Sequence, residues 1–465
     1  MQDNNFSRLK SSKSGLVWPA APDEQAARRL TLLLQLQESE WWTPDKLETF
    51  QFLQLTELVR HAIRTVPYYR RLLKNTGWNP RETLVPDLYR NFPVLTRENV
   101  NRAGNNLNSV AVPKEHGRIH KSTTSGSTGN PVTIYKTGWS AVIWDAITLR
   151  DHLWQGREFS GSLGIIRHLP VEKARPPHGT SQANWGPPVS PIFDTGKSHA
   201  LNIRSTTTEQ LDWLLMTEPD YLLTFPSAAE AMARLSLKRG VFPSRLKELR
   251  TIGETLSPEA RDVIEQSWKV RVTDCYSAQE TGYLALPSPG ATHYLVQAEA
   301  VYLEILDEHN NPCKAGETGR VVVTPLHNFA TPLIRYALDD YAVAGNSSPC
   351  GRGLPVLQRV MGRTRNMLVL PDGERRFASM GVKSFNVAHG ERIKRYQVIQ
   401  KSREELLVKL VIDVPYSPGS EDALKKHIQT WVNYPFRITI EYVADIPRSN
   451  SGKYEDFRCE VSYET

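Results

Sequence analysis

The chain has 465 residues, 40% of them apolar and 23% charged, and its 57 Lys and Arg against 50 Asp and Glu leave a formal charge of +7. A length about three times the common domain size implies two or three domains with a sizeable core, and the composition is that of an ordinary soluble globular protein. A positive excess spread without a basic stripe excludes a nucleic-acid binder that works by charge, and no apolar run approaches the roughly 18 residues that span a bilayer.

In chain order, the first stretch, to about residue 40, is polar and Pro-rich and predicts a poorly ordered start. After the cap signal Thr43-Pro44-Asp45, residues Leu55, Leu58, Val59, Ala62, Ile63 and Val66 recur at helical spacing until Pro67, which predicts one long amphipathic helix. From about 140 to 290, helical stretches alternate with short apolar runs such as Tyr221–Phe225 and Leu249–Ile252. That is the pattern of βα units in a largely parallel sheet, with a nucleotide expected at the carboxyl ends of the strands. Between 292 and 345, Val301–Leu306 alternates, Glu308–Pro312 turns and Gly319–Thr324 returns, which predicts a β-rich subdomain. After Gly362, strands at Val369-Leu370, Gln397–Gln400 and Leu406–Val414 and a helix at Glu421–Val432 predict a small α+β unit. The expected class is α/β: a large N-terminal domain (1–362) of parallel-rich α/β sheets plus a β-rich subdomain, followed by a small α+β C-terminal domain (363–465).

Cys275, Cys313, Cys350 and Cys459 lie far apart without a C-x-x-C pair, so neither a disulfide framework nor a zinc site is expected. With a polar N-terminus lacking an apolar signal core, this points to the cytoplasm. The loudest local signal is Ser122-Thr123-Thr124-Ser125-Gly126-Ser127-Thr128-Gly129-Asn130-Pro131. Glycines supply free backbone and the hydroxyls supply donors, a set suited to a polyphosphate. The run lacks the glycine spacing and the lysine of a Walker loop, and by composition it also suits a linker. Strand-like flanks and the closing proline favour an ordered loop.

From Thr124 to Pro131 this run resembles the phosphate loop Thr-Ser-Gly-Ser/Thr-Thr-Gly-x-Pro of the adenylate-forming superfamily, which includes acyl-CoA synthetases and adenylation domains. Four later motifs follow in the same order. Cys275–Glu280 resembles Tyr-Gly-x-Thr-Glu, Leu333–Asp340 resembles Ile-Arg-Tyr-x-Thr-Gly-Asp, Gly362–Asn366 falls on the Gly-Arg-x-Asp-Asp hinge, and Ile446–Lys453 on the C-terminal Pro-x-x-x-x-Gly-Lys. Val66–Arg70, Phe92–Thr96, Gly253–Leu256 and Tyr396–Gln400 look like the phenylacetate-CoA ligase-like branch, including its capsule-associated members. The resemblance implies that Thr124, Ser125, Gly126, Ser127, Thr128, Gly129, Gly253, Glu254 and Thr255 bind nucleotide, with Tyr276 stacking on adenine. Asp340 would take the ribose hydroxyls and Arg363 a phosphate or ribose oxygen. Glu280 would hold Mg²⁺ and share the catalytic role with Lys453, and Arg365 would stand at the hinge of a mobile C-terminal domain. Departures from the pattern are Ser277 and Asp339 at usual glycines, and Arg365-Asn366 in place of an acidic pair.

The chemistry agrees with that resemblance. A carboxylate attacking the α-phosphorus of ATP joins two anions, and Lys453, an ammonium on a Gly-containing loop, could screen them. Trp139, Trp144, Trp154, His168 and Trp185 fall where relatives line the acyl pocket; His168 and Trp185 are taken as pocket residues suited to an aromatic acid. Arg365, whose long side chain need not be buried, suits a pivot. The expected activity is ATP- and Mg²⁺-dependent formation of an acyl-AMP with release of pyrophosphate, then transfer to the thiol of CoA. A carrier-protein thiol or an amine as acceptor stays open, as does a non-catalytic nucleotide-binding homologue. Partners are expected to be the small carboxylic acid and CoA, with neither nucleic acid nor membrane.

Overall fold

The computed structural model describes residues 5–73, 76–124, 131–170, 172–377, 393–449 and 452–461. A hairpin of β1 (His120–Thr123) and β2 (Thr133–Lys136) precedes the main sheet. Parallel pairing joins β3 (Leu163–Arg167), β5 (Ser198–Asn202), β6 (Tyr221–Thr224), β7 (Glu248–Ile252) and β8 (Arg271–Ala278), with β4 (Thr180–Gln182) antiparallel at the outer edge. The predicted runs Tyr221–Phe225 and Leu249–Ile252 are thus inner parallel strands, largely buried because both faces are covered.

The β-rich part is continuous with this parallel sheet, because β8 also pairs antiparallel with β9 (Gly282–Pro287). From there β10 (Tyr294–Val296), β14 (Val356–Arg363), β13 (Tyr336–Ala344), β12 (Thr318–Pro325) and β11 (Val301–Leu306) extend one 12-stranded sheet. One face is covered by the helices Thr207–Thr217, Pro226–Arg239 and Pro258–Trp268, whose Leu211, Met232 and Ile264 share a cluster with Ile166, Leu222 and Leu249 of the strands. Against the other, the helix Gly138–Trp154 and the turn after it are held by buried charges: Arg157 bonds Asp151 and Glu248, both at 2.6 Å, and Arg250 reaches Asp151 at 3.1 Å.

Thr43 caps the long helix Pro44–Thr65 by accepting from the Lys46 N–H, and Val66-Pro67 ends it. The expectation of a loose start fails. Glu24–Ser39 is a helix capped by Asp23, its Ala26, Leu33 and Leu36 are buried, and Arg29 pairs with Asp145 at 2.8 Å. Even Asn5 is buried, donating to the Arg157 carbonyl and accepting from the Phe159 N–H. The polar composition conceals a helix whose narrow apolar stripe packs on a neighbouring helix.

After β14, a short turn Thr364–Asn366 leads to a second body: β15 (Met367–Val369) with β16 (Arg375–Phe377), then the sheet β19-β18-β17-β20 formed by β17 (Ile393–Ser402), β18 (Glu405–Ile412), β19 (Arg437–Tyr442) and β20 (Phe457–Cys459). Helix Pro418–Val432 covers that sheet, and its apolar cluster draws on residues from Leu368 onward. No described helix is long and apolar enough to cross a membrane.

Arg335, in the Ile-Arg-Tyr motif, ties the N-terminal segment to the sheet. At φ +50° and 1% exposure, it bonds Glu304 through two oxygens at 2.9 and 3.0 Å and donates to the carbonyls of Arg90 and Phe92. Removing one partner leaves a buried charge unpaired, so Arg335→Met should destabilise the chain by about 3–5 kcal/mol in equilibrium urea unfolding. A loss under about 1 kcal/mol would show that Glu304 is solvated in the variant and that the knot carries little stability.

Candidate active site

The candidate site is a cavity at the carboxyl ends of parallel strands. A cavity of about 230 Å³ lies beyond β6, β7 and β8, bounded by Ser227, Glu254, Ser277, Asp340, Arg363 and Lys453 among others. Gly253, Thr255, Tyr276 and Arg365 also line it, so eight of the sequence-predicted residues meet around one space: Gly253, Glu254, Thr255, Tyr276, Asp340, Arg363, Arg365 and Lys453. Asp340, on β13, accepts from the Tyr276 hydroxyl at 2.8 Å and pairs with Arg363 of β14 at 3.3 Å. Burial and the adjacent Asp340 push the Tyr276 phenol well above its ordinary value, so it stays a neutral donor.

Two glycines allow the lysine loop to approach. Gly253 follows β7 at φ +78°, and a Cβ there would lie 3.0 Å from the Phe225 ring and 3.5 Å from Lys453 Cε. Gly452 has φ +82°, and a Cβ would meet Ile203 Cγ2 at 2.7 Å and His168 Cβ at 3.5 Å. The loop therefore presses backbone-first against the strand ends, where any side chain would hold it off. Burial lowers the Lys453 pKa, with Arg363 adding to the effect while Asp340, Glu254 and Glu280 oppose it. The ammonium is poorly hydrated and faces carboxylates, a setting in which its charge acts strongly on an incoming anion.

Glu280 is 6% exposed and accepts from Arg97 at 3.0 Å, and the same Arg97 stands 3.7 Å from Asp339. Asp339 has φ +61°, which explains the glycine preferred at that position in the resembling pattern; aspartate is among the residues that tolerate it. Among the described residues no cluster of three or more His, Cys, Asp or Glu could cage a metal. A single hard carboxylate fits Mg²⁺ that arrives with nucleotide phosphates, since that ion keeps waters and takes one or two protein carboxylates. Glu280 would hold it, and its chemistry there is to neutralise polyphosphate charge.

Ser125, Gly126, Ser127, Thr128 and Gly129 lie outside the described residues. Thr124, at the base of that loop, donates its N–H to the Val132 carbonyl and accepts the Val132 N–H on its hydroxyl, both at 2.9 Å. Its described bonds close the hairpin and point to no ligand.

The structure separates the proposed pocket residues. His168 is exposed after β3, beside Gly452 of the lysine loop. Trp185 is not at the site: it is buried among Phe159, Phe193 and Tyr221 and donates to the Gly161 carbonyl, at the amino end of β3. Its large apolar ring fills core there. Trp154 donates to Glu40 far along the same helix, whereas Trp144 stacks on Tyr283 with centroids 4.0 Å apart and touches the turn at Gly282, two residues after Glu280. Arg365, the expected hinge residue, stands between the two bodies. Its side chain is only 15% exposed and pairs with Glu455, while Asn366 donates to the Phe457 carbonyl at 2.8 Å.

Sequence reasoning missed Arg97, Lys136 and Arg448. Lys136 donates to the Gln279 carbonyl at 2.6 Å, and burial lowers its pKa while Glu280 opposes. Arg448 reaches Ser227, Glu254 and Gly452. It occupies an unspecified position of the Pro-x-x-x-x-Gly-Lys run; its only signal was a cation five residues before another.

Comparisons with known proteins agree with this architecture. Residues 374–457 match the family model of the CapK C-terminal domain. The chain is 25% identical to the phenylacetate-coenzyme A ligase of Thermus thermophilus over 465 aligned residues, covering 90% of this chain and 97% of that protein. It is 26% identical to the Escherichia coli phenylacetate-coenzyme A ligase over 356 residues, 70% of this chain and 73% of the relative. Among solved structures, 2-hydroxyisobutyryl-CoA ligase in its postadenylation state with 2-HIB-AMP superposes with a TM-score of 0.70 at 18% identity, covering 91% of this chain and 92% of that one. The same enzyme in its thioesterification state gives 0.58 at 19% identity and the same coverage. The chain shares the fold of these acid–CoA ligases, and its ordered motifs resemble those of adenylate-forming enzymes. Over most of its length the chain is similar to phenylacetate-coenzyme A ligases.

Asp456, in the wall of the cavity, is pushed up to about 6 by burial and accepts from the Tyr396 hydroxyl at 3.3 Å. The folded chain keeps this proton to about pH 6, whereas the unfolded chain releases it near the ordinary 3.8. Its contribution to stability is therefore full below that lower value and lost as pH rises through about 6. Asp456→Asn should gain stability relative to wild type between pH 5 and pH 8, read from urea midpoints. A constant difference across that range would show that the carboxyl titrates normally.

Proposed function

We propose that the chain is an AMP-forming acid–CoA ligase. The carboxylate of a small acid attacks the α-phosphorus of ATP, the bond to the β-phosphate oxygen breaks and pyrophosphate leaves; the CoA thiol then displaces AMP from the acyl carbon. Lys453 neutralises the charge that builds between carboxylate and α-phosphate. Asp340 takes the ribose hydroxyls, the Tyr276 ring lies against adenine and Arg363 binds an oxygen of the nucleotide. The single observation that carries this reading is the position of Lys453, supplied by the second body yet standing in the same cavity as Asp340, Arg363 and Tyr276. With the lysine in place the arrangement is that of the first half-reaction.

The thiol step needs the lysine loop to withdraw, and the body from residue 363 onward turns about Gly362–Asn366. Supporting this, Gly362 sits at φ +113° between two separately packed clusters, and Arg365 and Asn366 are bonded to the C-terminal segment that would travel with them. The acid is aromatic: Trp144 and Tyr283 stack on each other next to the Glu280 turn, and two relatives, matched over 97% and 73% of their lengths, are phenylacetate-coenzyme A ligases.

Acid-dependent ATP–pyrophosphate exchange across a panel of aromatic and aliphatic acids tests the reading. Exchange should be greatest with an aromatic acid, and Lys453→Ala should lower it about 10²- to 10³-fold, as expected for a charge worth roughly 3–4 kcal/mol in the transition state. Exchange within a few-fold of wild type in that variant would remove the lysine from catalysis.

A further inference from the structure

Glu254 lines the cavity, and its described bonds run along the cavity wall. One oxygen accepts the Ser227 N–H at 3.1 Å, in the first turn of helix Pro226–Arg239. That helix has no side-chain cap from its own N-cap residue, Phe225, so Glu254 satisfies one of the N–H groups left open there. The other oxygen accepts the Tyr454 N–H at 2.6 Å and faces Arg448 at 3.3 Å. The carboxylate is thus shared between the first body and the loop that carries Lys453, with a side-chain exposure of only 7%.

Arg448 completes the other side of this contact. Its NH1 also donates to the Ser227 hydroxyl at 2.8 Å and to the Gly452 carbonyl at 3.1 Å, so one guanidinium nitrogen joins the helix start, the carboxylate and the loop backbone. The loop itself is a self-bonded turn. Ser449 N–H donates to the Lys453 carbonyl, Gly452 N–H to the Ser449 carbonyl, and Lys453 N–H to the Ser449 hydroxyl. Such a turn keeps its shape when it moves, and its position is decided by what holds it from outside.

Building on the ligase reading above, we propose that Glu254 and Arg448 form a clasp that seats the Lys453 turn for adenylate formation and must open before the thiol step. Glu254 is a positioning residue here: it acts on the reaction through the turn. Opening strips a nearly buried carboxylate of a cation and of an N–H donor at once, and separates Arg448 from two acceptors. Charge-assisted bonds in a poorly hydrated seam are the strong kind, so closure is favoured until something else engages the partners. Local contacts are sufficient to separate the two half-reactions: the clasp touches the first and has no part in the geometry of the second.

Two measurements test this. With the acid that gives the greatest pyrophosphate exchange, Arg448→Met should slow acyl-AMP formation at saturating ATP at least tenfold, while thioester formation from supplied acyl-adenylate and CoA stays within twofold or rises. Adding Glu254→Gln to Arg448→Met should cost little beyond the single changes, because both break one contact. Equal falls in both half-reactions, or fully additive losses, would overturn the clasp. Independently of activity, hydrogen–deuterium exchange at the Tyr454 and Ser227 amides should rise at least tenfold in Glu254→Ala over wild type. Unchanged exchange at Tyr454 would overturn it whatever the enzyme does, whereas a wild-type chain that makes no acyl-AMP from any acid would instead sink the ligase reading.

Discussion

A carboxylate approaches a phosphorus ringed by negative oxygens only if a cation stands between them in a place where water does not screen it. The cation proposed for that place, Lys453, is carried by a separately packed body and lines the cavity at the strand ends. The parallel strands end together and leave a rim, β6 and β7 turn away through Phe225-Pro226 and Gly253, and the lysine turn settles on that rim through the bare backbone of Gly452. A side chain at Gly452 would push the turn off Ile203, and one at Gly253 would crowd the Phe225 ring, both at positive φ.

Behind the rim the structure is stiff where the reacting groups need fixed supports. Arg157 and Arg250 hold β7 and the helix Gly138–Trp154 through Asp151 and Glu248, and Arg335 fastens the segment around Phe92 to β12 and β13. That segment supplies Arg97, which orients Glu280 and Asp339 together. A residue in the Ile-Arg-Tyr motif thus acts on the site at a distance, by placing β13, which carries Asp339 and Asp340, and the segment that carries Arg97.

Most of the fold was legible because its signals are local. Apolar runs at Tyr221 and Leu249 can only be covered strands, and Thr43-Pro44 starts a helix wherever an amphipathic pattern follows. The helix Glu24–Ser39 was hidden because its stability comes from docking on a partner far along the chain, through Arg29 and Asp145, which composition does not reveal. The continuity of the two halves of the sheet depends on β8 pairing differently on its two edges, a property of register. At the site, ordered motifs brought eight of the named residues to one cavity. Trp185 misled because a tryptophan suits a core as well as a pocket, and only its neighbours Phe159 and Tyr221 decide between them. Arg448 escaped because its role rests on a carboxylate about 200 positions away, with which no spacing rule connects it.

The central claim is that the acid's own oxygen attacks the α-phosphorus. The most direct measurement supplies the best acid with both carboxylate oxygens as ¹⁸O, together with ATP, Mg²⁺ and CoA, and weighs the products by mass spectrometry. The account predicts one ¹⁸O in each AMP formed, with none in pyrophosphate. AMP free of label, or label in inorganic phosphate alongside ADP, would contradict it.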